Sequence, residues 1–204
     1  MFLEELDKIK EECELFLIAG DVIDNGAYVY LKRFENDISK LNCTKIMVRG
    51  NNEFTYEATR KYLSSIILLE DEVIDLKIQG KKISIIGTPG ILDKPTRWQR
   101  RNIPNIDEIY RKRFEKIKEI LERKKGFKIL LSHYAITYSN LVKEKPWIWP
   151  EMGSKKWEEV IDLFDIGIHG HSHMGKNFSL VKGKPIYNVA YCLTRRITRI
   201  DVEL

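Results

Sequence analysis

The chain has 204 residues and a mass of 24.0 kDa, with 43% hydrophobic and 32% charged residues. That is the composition of a folded chain with a sizeable core, and 1–204 is read as one domain. No apolar run approaches the ~18 residues of a membrane span, and the opening MFLEELDKIK lacks the basic-then-apolar pattern of a secretory signal. The net charge of +5 is mildly basic and does not by itself indicate nucleic acid.

Residues 2–14 place Leu3, Leu6 and Ile9 at helical spacing, and the apolar run Leu15 to Ala19 ending on Gly20 reads as a buried strand. A helix is expected over 28–41, a strand over 44–48, a polar turn at GNNEF and a helix over 56–63. VIDLKI and KKISIIG around Gln79-Gly80 predict a hairpin. Residues 106–125 predict a helix with Ile109, Ile117, Ile120 and Leu121 on one face. KILLS is a strand, 154–164 a helix with Ser154 as N-cap, and FDIGIHG a strand running into a His-rich turn. FSLVKGKPIYNVA reads as a hairpin and RRITRIDVEL as a last strand. Strands separated by helices, with late hairpins, imply an α/β fold with mixed sheets. Two long irregular stretches, 87–104 and 133–153, are expected to be functional or mobile. The cysteines Cys13, Cys43 and Cys192 are scattered and never form C-x-x-C. They argue against a disulfide framework and for a reducing, cytoplasmic setting.

All four histidines lie in the second half: His133 directly after a strand, and His169, His171 and His173 in one pentapeptide. Two earlier strands end in Gly20-Asp21-Val22-Ile23-Asp24 and Gly50-Asn51-Asn52-Glu53. In an open α/β sheet, ligands collect where strand C-termini open into loops. Four strand ends therefore deliver Asp21, Asn51, His133 and the 171/173 pair to one edge. A mixed carboxylate, amide and imidazole set suits Mn, Fe, Ni or Zn.

These motifs (GDVID, GNNE, His133 after LLS, and GHSH), in this order and spacing, resemble the calcineurin-like metallophosphoesterases over essentially the whole chain. The resemblance implies a two-layer mixed β-sandwich flanked by helices and a two-metal site. It also implies hydrolysis of a phosphodiester or phosphomonoester, including nucleotides, by metal-activated water. By position, Asp21 would bridge two metals. Asn51, His133 and His171 would complete one metal, and His173 would serve the other. Asp24, Glu53 and His169 would orient loops and imidazoles.

Two departures from the family stand out. Asn52 replaces a frequent His and cannot shuttle a proton near neutral pH, which predicts a slower enzyme, best on good leaving groups. The family also opens with a strand ending in Asp-x-His about thirty residues before GDxxD, whereas Asp21 is 20 residues from Met1. Either the natural start lies ~10–15 residues upstream, or the chain is a single-metal or degenerate member acting as a weak enzyme or a binding scaffold. A missing first strand would leave an exposed sheet edge.

Residues 94–128 carry 13 Lys/Arg against 5 Asp/Glu. Within them, Arg97 and Trp98 read either as phosphate and base contacts, nucleic acid included, or as part of a surface loop. Trp147, in the loop after His133, reads as a substrate lid wall, a hydrophobic plug or a dimer contact.

Overall fold

The structure, a computed structural model, describes residues 2–9 and 13–203. Helix α1 (Phe2–Ile9) precedes β1 (Leu15–Ile18), and α2 (Val29–Ile38) leads to β2 (Thr44–Val48). Helix α3 (Tyr56–Arg60) then leads to β3 (Ile66–Leu69), and the three strands form a parallel sheet in order β1-β2-β3. The second sheet starts with the antiparallel hairpin β4 (Glu72–Ile78) and β5 (Lys81–Thr88). After α4 (Arg97–Asn102) and α5 (Ile106–Arg123) come β6 (Phe127–Ser132), β7 (Ile166–His169), β8 (Phe178–Val181), β9 (Lys184–Asn188) and the short α6 (Tyr191–Thr194). Its order is β4-β5-β6-β7-β9-β8, parallel from β5 through β7 to β9 and antiparallel at both ends.

Period-2 alternation explains how the two sheets stack. Ala19, Ile46, Val48 and Leu69 face Ile83, Ile85, Ile129, Leu131, Ile166 and Ile168 in a core between the sheets. The alternate residues Phe16, Ile18, Met47, Ile66 and Leu68 pack outward against Leu6, Leu31 and Ile38 of α1 and α2. On the other side Ile86, Leu130 and Ile186 pack against Phe114, Ile117, Ile120 and Leu121 of α5. Parallel strands packed on both faces read as apolar runs, as LFLI of β1 and ILL of β6 do. The expected two-layer mixed sandwich flanked by helices is the observed architecture.

Several local expectations change. Strand β3 was not anticipated, because its IILL run lies only three residues before β4 and carries no turn glycine or proline. The stretch 87–104 contains α4, started by a capping box in which Thr96 Oγ1 accepts from Gln99 N and Gln99 Oε1 accepts from Thr96 N. The stretch 133–153 contains 3-10 turns at Tyr138–Asn140 and Pro146–Glu151. Ser154 does cap, but the segment it starts is two 3-10 turns, Lys155–Glu159 and Ile161–Leu163, not an α-helix. On α5 the buried stripe is Ile106, Tyr110, Phe114, Ile117, Ile120 and Leu121, so Ile117, Ile120 and Leu121 lie on it as expected, whereas Ile109 is exposed. Residues 195–203 form no strand: Ile197 packs on the α1/α2 side, while Ile200 and Val202 pack at the rim of the inter-sheet core. Among the described residues no helix is long and apolar enough to cross a membrane.

The stripe sets a test. Ile117 is fully buried, so Ile117→Ala should cost ~3–4 kcal/mol in chemical denaturation. Ile109→Ala should cost ~1 kcal/mol or less. Equal costs would reject this orientation of α5.

Candidate metal centre

The site is built where β1, β2, β6 and β7 end at one edge of the sandwich. The register aligns Ile18 with Met47 in one sheet and Ser132 with His169 in the other. The loops after β1 and β2 approach so closely that side chains are excluded. A Cβ on Gly20 would lie 2.3 Å from Gly50 N, and one on Gly50 would lie 2.1 Å from Asp21 Oδ1.

Glu53 ties these two loops together. Its buried carboxylate accepts from the backbone N–H groups of Gly50 (2.7 Å), Asp21 (2.9 Å), Val22 (2.9 Å) and Ile23 (3.3 Å). The Glu53 carboxyl is raised above its usual value, chiefly by burial and also by the charge of Asp21, against the amides of Gly50, Asp21 and Ile23, which draw it down. Asp21 sits at φ 53° and His171 at φ 64°, left-handed conformations that non-glycine residues rarely adopt and that cost on the order of 1–3 kcal/mol. The amides held by Glu53 fix the first. For the second, Gly170 N donates to His133 O, and Ser172 is held through its hydroxyl by Glu144 and through its carbonyl by the Asn188 amide.

Four side chains converge. His133 Nε2 lies 3.0 Å from Asn51 Oδ1, 3.1 Å from His171 Nδ1 and 3.6 Å from Asp21 Oδ2. Among the described residues Asp21, His133 and His171 form the one Asp/Glu/His/Cys group able to hold an ion. On the other side of the ring, His133 Nδ1 donates to Ala19 O at 2.7 Å, which leaves Nε2 as a lone pair. An imidazole lone pair, an amide oxygen and a carboxylate oxygen therefore face one point with no proton of His133 between them. Donors ~2.1 Å from a transition metal are ~3.0 Å apart when cis in an octahedron and ~3.4 Å apart in a tetrahedron. The observed spacings of 3.0–3.6 Å fit a bound cation.

Electrostatics favour the same state. Burial is the main cause that lowers the pKa of His133 and His171, so both are neutral ligands at neutral pH. Burial also raises the Asp21 carboxyl, opposed by the Asn52 amide on its Oδ1, a cost that a bound cation would offset.

The remaining sequence candidates fall as follows. His169 is buried, pushed down to about 4 by burial; its Nδ1 donates to Gly170 O and its Nε2 has no partner among the described residues. His173 is exposed and lies outside the group of three, yet close enough for its charge to act on Asp21. Asp24 is exposed, and its backbone carbonyl accepts from Ala27. Asn52 ties the loop after β1 through its Oδ1, which accepts from Asn25 N, and its carbonyl, which accepts from Gly26 N. Arg97 and Trp98 are exposed on α4; Trp147 is exposed, with the Lys145 ammonium over its ring.

Sequence reasoning missed the support beneath the site. Arg49 forks onto Glu70 and donates to Glu53 O, while Arg113 of α5 pairs with Asp71 and donates to Gly90 O. Arg49 directly precedes the GNNE motif and donates to its Glu53 carbonyl, but its charge partner Glu70 comes from the turn after β3, which no short motif reveals. Tyr134 was also missed. Its ring packs 5.1 Å from His133 and 5.0 Å from His171.

Glu53→Gln supplies one carbonyl oxygen where four amides need acceptors, and should cost ~2–4 kcal/mol and weaken metal binding ~10–100-fold by calorimetric titration. The buried neutral histidines set a pH dependence. A folded pKa below the unfolded ~6.5 means the unfolded chain binds the proton first, so stability is lost as pH falls from ~6.5 toward ~4. For His169 the loss is on the order of 3 kcal/mol. Urea midpoints of metal-free protein at pH 7 and 4.5 read it, and equal midpoints would show that these rings are not buried as neutral groups.

Comparison with solved structures places the fold. Phosphopantetheinyl hydrolase (PptH) from Mycobacterium tuberculosis is similar at TM-score 0.63 and 14% identity, covering 90% of this chain and 83% of that one. TT1561 of Thermus thermophilus is similar at 0.63 and 13%, covering 94% and 84%. NAD nucleotidase (NadN) from Haemophilus influenzae is similar at 0.57 and 18%, covering 93% of this chain but 39% of its own. No curated protein matches the chain. Residues 1–175 match the calcineurin-like phosphoesterases, a family of metal-using phosphoesterase-type hydrolases, and the chain belongs to that family.

Proposed function

We propose that this chain hydrolyses a phosphodiester or phosphomonoester, nucleotides included, at the centre formed by Asp21, Asn51, His133 and His171. One observation carries the reading: a carboxylate, an amide and two neutral imidazoles converge at 3.0–3.6 Å with the His133 tautomer fixed for ligation. Mn, Fe, Ni or Zn fits this donor set, and His173 with Asp21 is assigned to a second cation. When bound, such cations supply Lewis-acid stabilisation of phosphoryl oxygens and a water acidic enough to attack at neutral pH.

The chain's own groups set what else the site can do. Asp21 and the imidazoles hold position because their backbones are locked before any ligand arrives. Asn52 uses its amide oxygen on Asn25 and its side chain also hydrogen-bonds the Asp21 carboxylate, which leaves one amide N–H to donate to a phosphoryl oxygen. It cannot protonate a leaving group, which is worth ~10²–10⁴-fold in rate. Turnover should therefore depend steeply on leaving-group acidity.

The test is metal content by mass spectrometry together with turnover of bis-p-nitrophenyl phosphate and p-nitrophenyl phosphate with Mn²⁺. His171→Ala should lose metal and activity together. Asn52→His should raise turnover of an alkyl phosphoester by more than that of the nitrophenyl ester. Full metal occupancy with no turnover of any ester would sink the hydrolase reading.

A further inference from the structure

Two exposed aromatics from distant segments meet at the rim of the centre. Phe54 directly follows Glu53, and Trp98 lies in the first turn of α4; they are 47% and 58% exposed. Their ring centroids are 6.4 Å apart with planes 25° from parallel. The two rings lie within stacking range and each keeps about half of its surface exposed, so together they offer one aromatic surface to solvent. Phe54 is seated from behind by Gly26, where a Cβ would lie 2.7 Å from its ring. Trp98 is seated by its neighbour Gln99, whose Nε2 donates at 2.9 Å to Tyr134 Oη, and the Tyr134 ring packs on both metal-centre imidazoles. Both aromatics thus lie on segments tied to the centre. Arg101 lies three residues after Trp98 on the same helix side, and Arg97 and Arg101 have no acidic partner among the described residues, whereas Arg100 is paired with Asp107.

We propose that Phe54 and Trp98 form a subsite for the planar base of a nucleotide whose phosphate occupies the metal centre, with Arg97 and Arg101 supplying positive charge beside it. It rests on the phosphoesterase reading and adds the substrate class. Base–aromatic stacking is worth ~1–3 kcal/mol per base, or ~5–150-fold in affinity.

The probes are adenosine 5′-monophosphate and ribose 5-phosphate, which differ only in the base. Adenosine monophosphate should quench tryptophan fluorescence in the wild type, and Trp98→Ala should abolish most of that quench. With Mn²⁺, Trp98→Ala and Phe54→Leu should each raise KM for the nucleotide ~5-fold or more and leave KM for ribose 5-phosphate unchanged. Equal effects on both probes, or none on either, would overturn the subsite. Turnover of ribose 5-phosphate without preference for the nucleotide rejects the subsite and keeps the hydrolase. A Trp98-dependent quench without turnover does the reverse.

A separate observation carries a second inference. Cys13 precedes β1 and Cys43 precedes β2, 30 positions apart, with their sulfurs 2.9 Å from one another. Neither is fully buried. We infer that the pair closes a disulfide by exchange with a small disulfide such as oxidised glutathione. One protein thiolate displaces a glutathione thiolate to give a mixed disulfide, and the second displaces the other. Two protein thiols are oxidised and one small disulfide is reduced to two thiols. The bridge would close the loop that carries Asp21. Burial and the neighbouring thiol push Cys13 up to about 12, so exchange should be slow at neutral pH and faster at alkaline pH.

After incubation at pH 8.5, the intact mass should fall by about 2 Da relative to the reduced chain, with a 13–43 cross-linked peptide and exposed Cys192 as the reactive control. The melting midpoint should rise by ~10 °C for a loop of this length, an effect lost in Cys43→Ser. Stable glutathione adducts on both cysteines, no bridge, or a bridge that lowers the midpoint would each overturn the inference.

Discussion

Glu53 holds two turns that the chain alone would not bring together. Its carboxylate takes four backbone N–H groups, one from its own turn and three from the turn after β1. Those amides have no other acceptor among the described residues, in a place where the two loops are packed too tightly for side chains at Gly20 or Gly50. A buried carboxylate is costly unless its oxygens are satisfied, and buried amides are costly unless they find acceptors. Each requirement answers the other, and the left-handed backbone of Asp21 is retained because of it.

The ligand group follows from that latch. Asp21 and Asn51 come from the loops Glu53 joins, while His133 and His171 come from the ends of β6 and β7 in the other sheet. The two halves meet because the sandwich core sets the sheets face to face, and because His133 reaches across to Ala19 O at the end of β1. That hydrogen bond helps tie the two sheets at the site and selects the tautomer that presents Nε2 as a lone pair. The Arg49–Glu70 and Arg113–Asp71 pairs beneath the floor are largely desolvated, so their geometry matters more than that of the exposed pairs on α5.

Asn52 shows how a residue that departs from a family pattern can be read in two ways. As chemistry, it removes a proton donor. As structure, it binds Asn25 and Gly26 and donates its own N–H to Asp21, holding the loop on which Phe54 rests. The position therefore couples the leaving-group preference of the site to the shape of its rim.

Much of this was legible in the chain. Apolar runs marked β1, β2, β6 and β7, with Gly20, Gly50 and Gly170 closing three of them; the Gln79-Gly80 and Lys182-Gly183 turns marked the hairpins, and the short motifs named the four converging side chains. Local propensity and spacing carry that information because strands and tight turns are decided over a few residues. The capping box Thr96-Arg97-Trp98-Gln99 was equally visible in the sequence and went unread. The rest was decided only by packing. Which face of α5 is buried, the failure of residues 195–203 to pair as a strand, the partners of Arg49 and Arg113, the Phe54–Trp98 rim and the Cys13–Cys43 contact all join segments far apart in sequence. Such contacts form only when the two sheets and their helix layers compete for the same apolar surface, and no local window of the chain contains that competition.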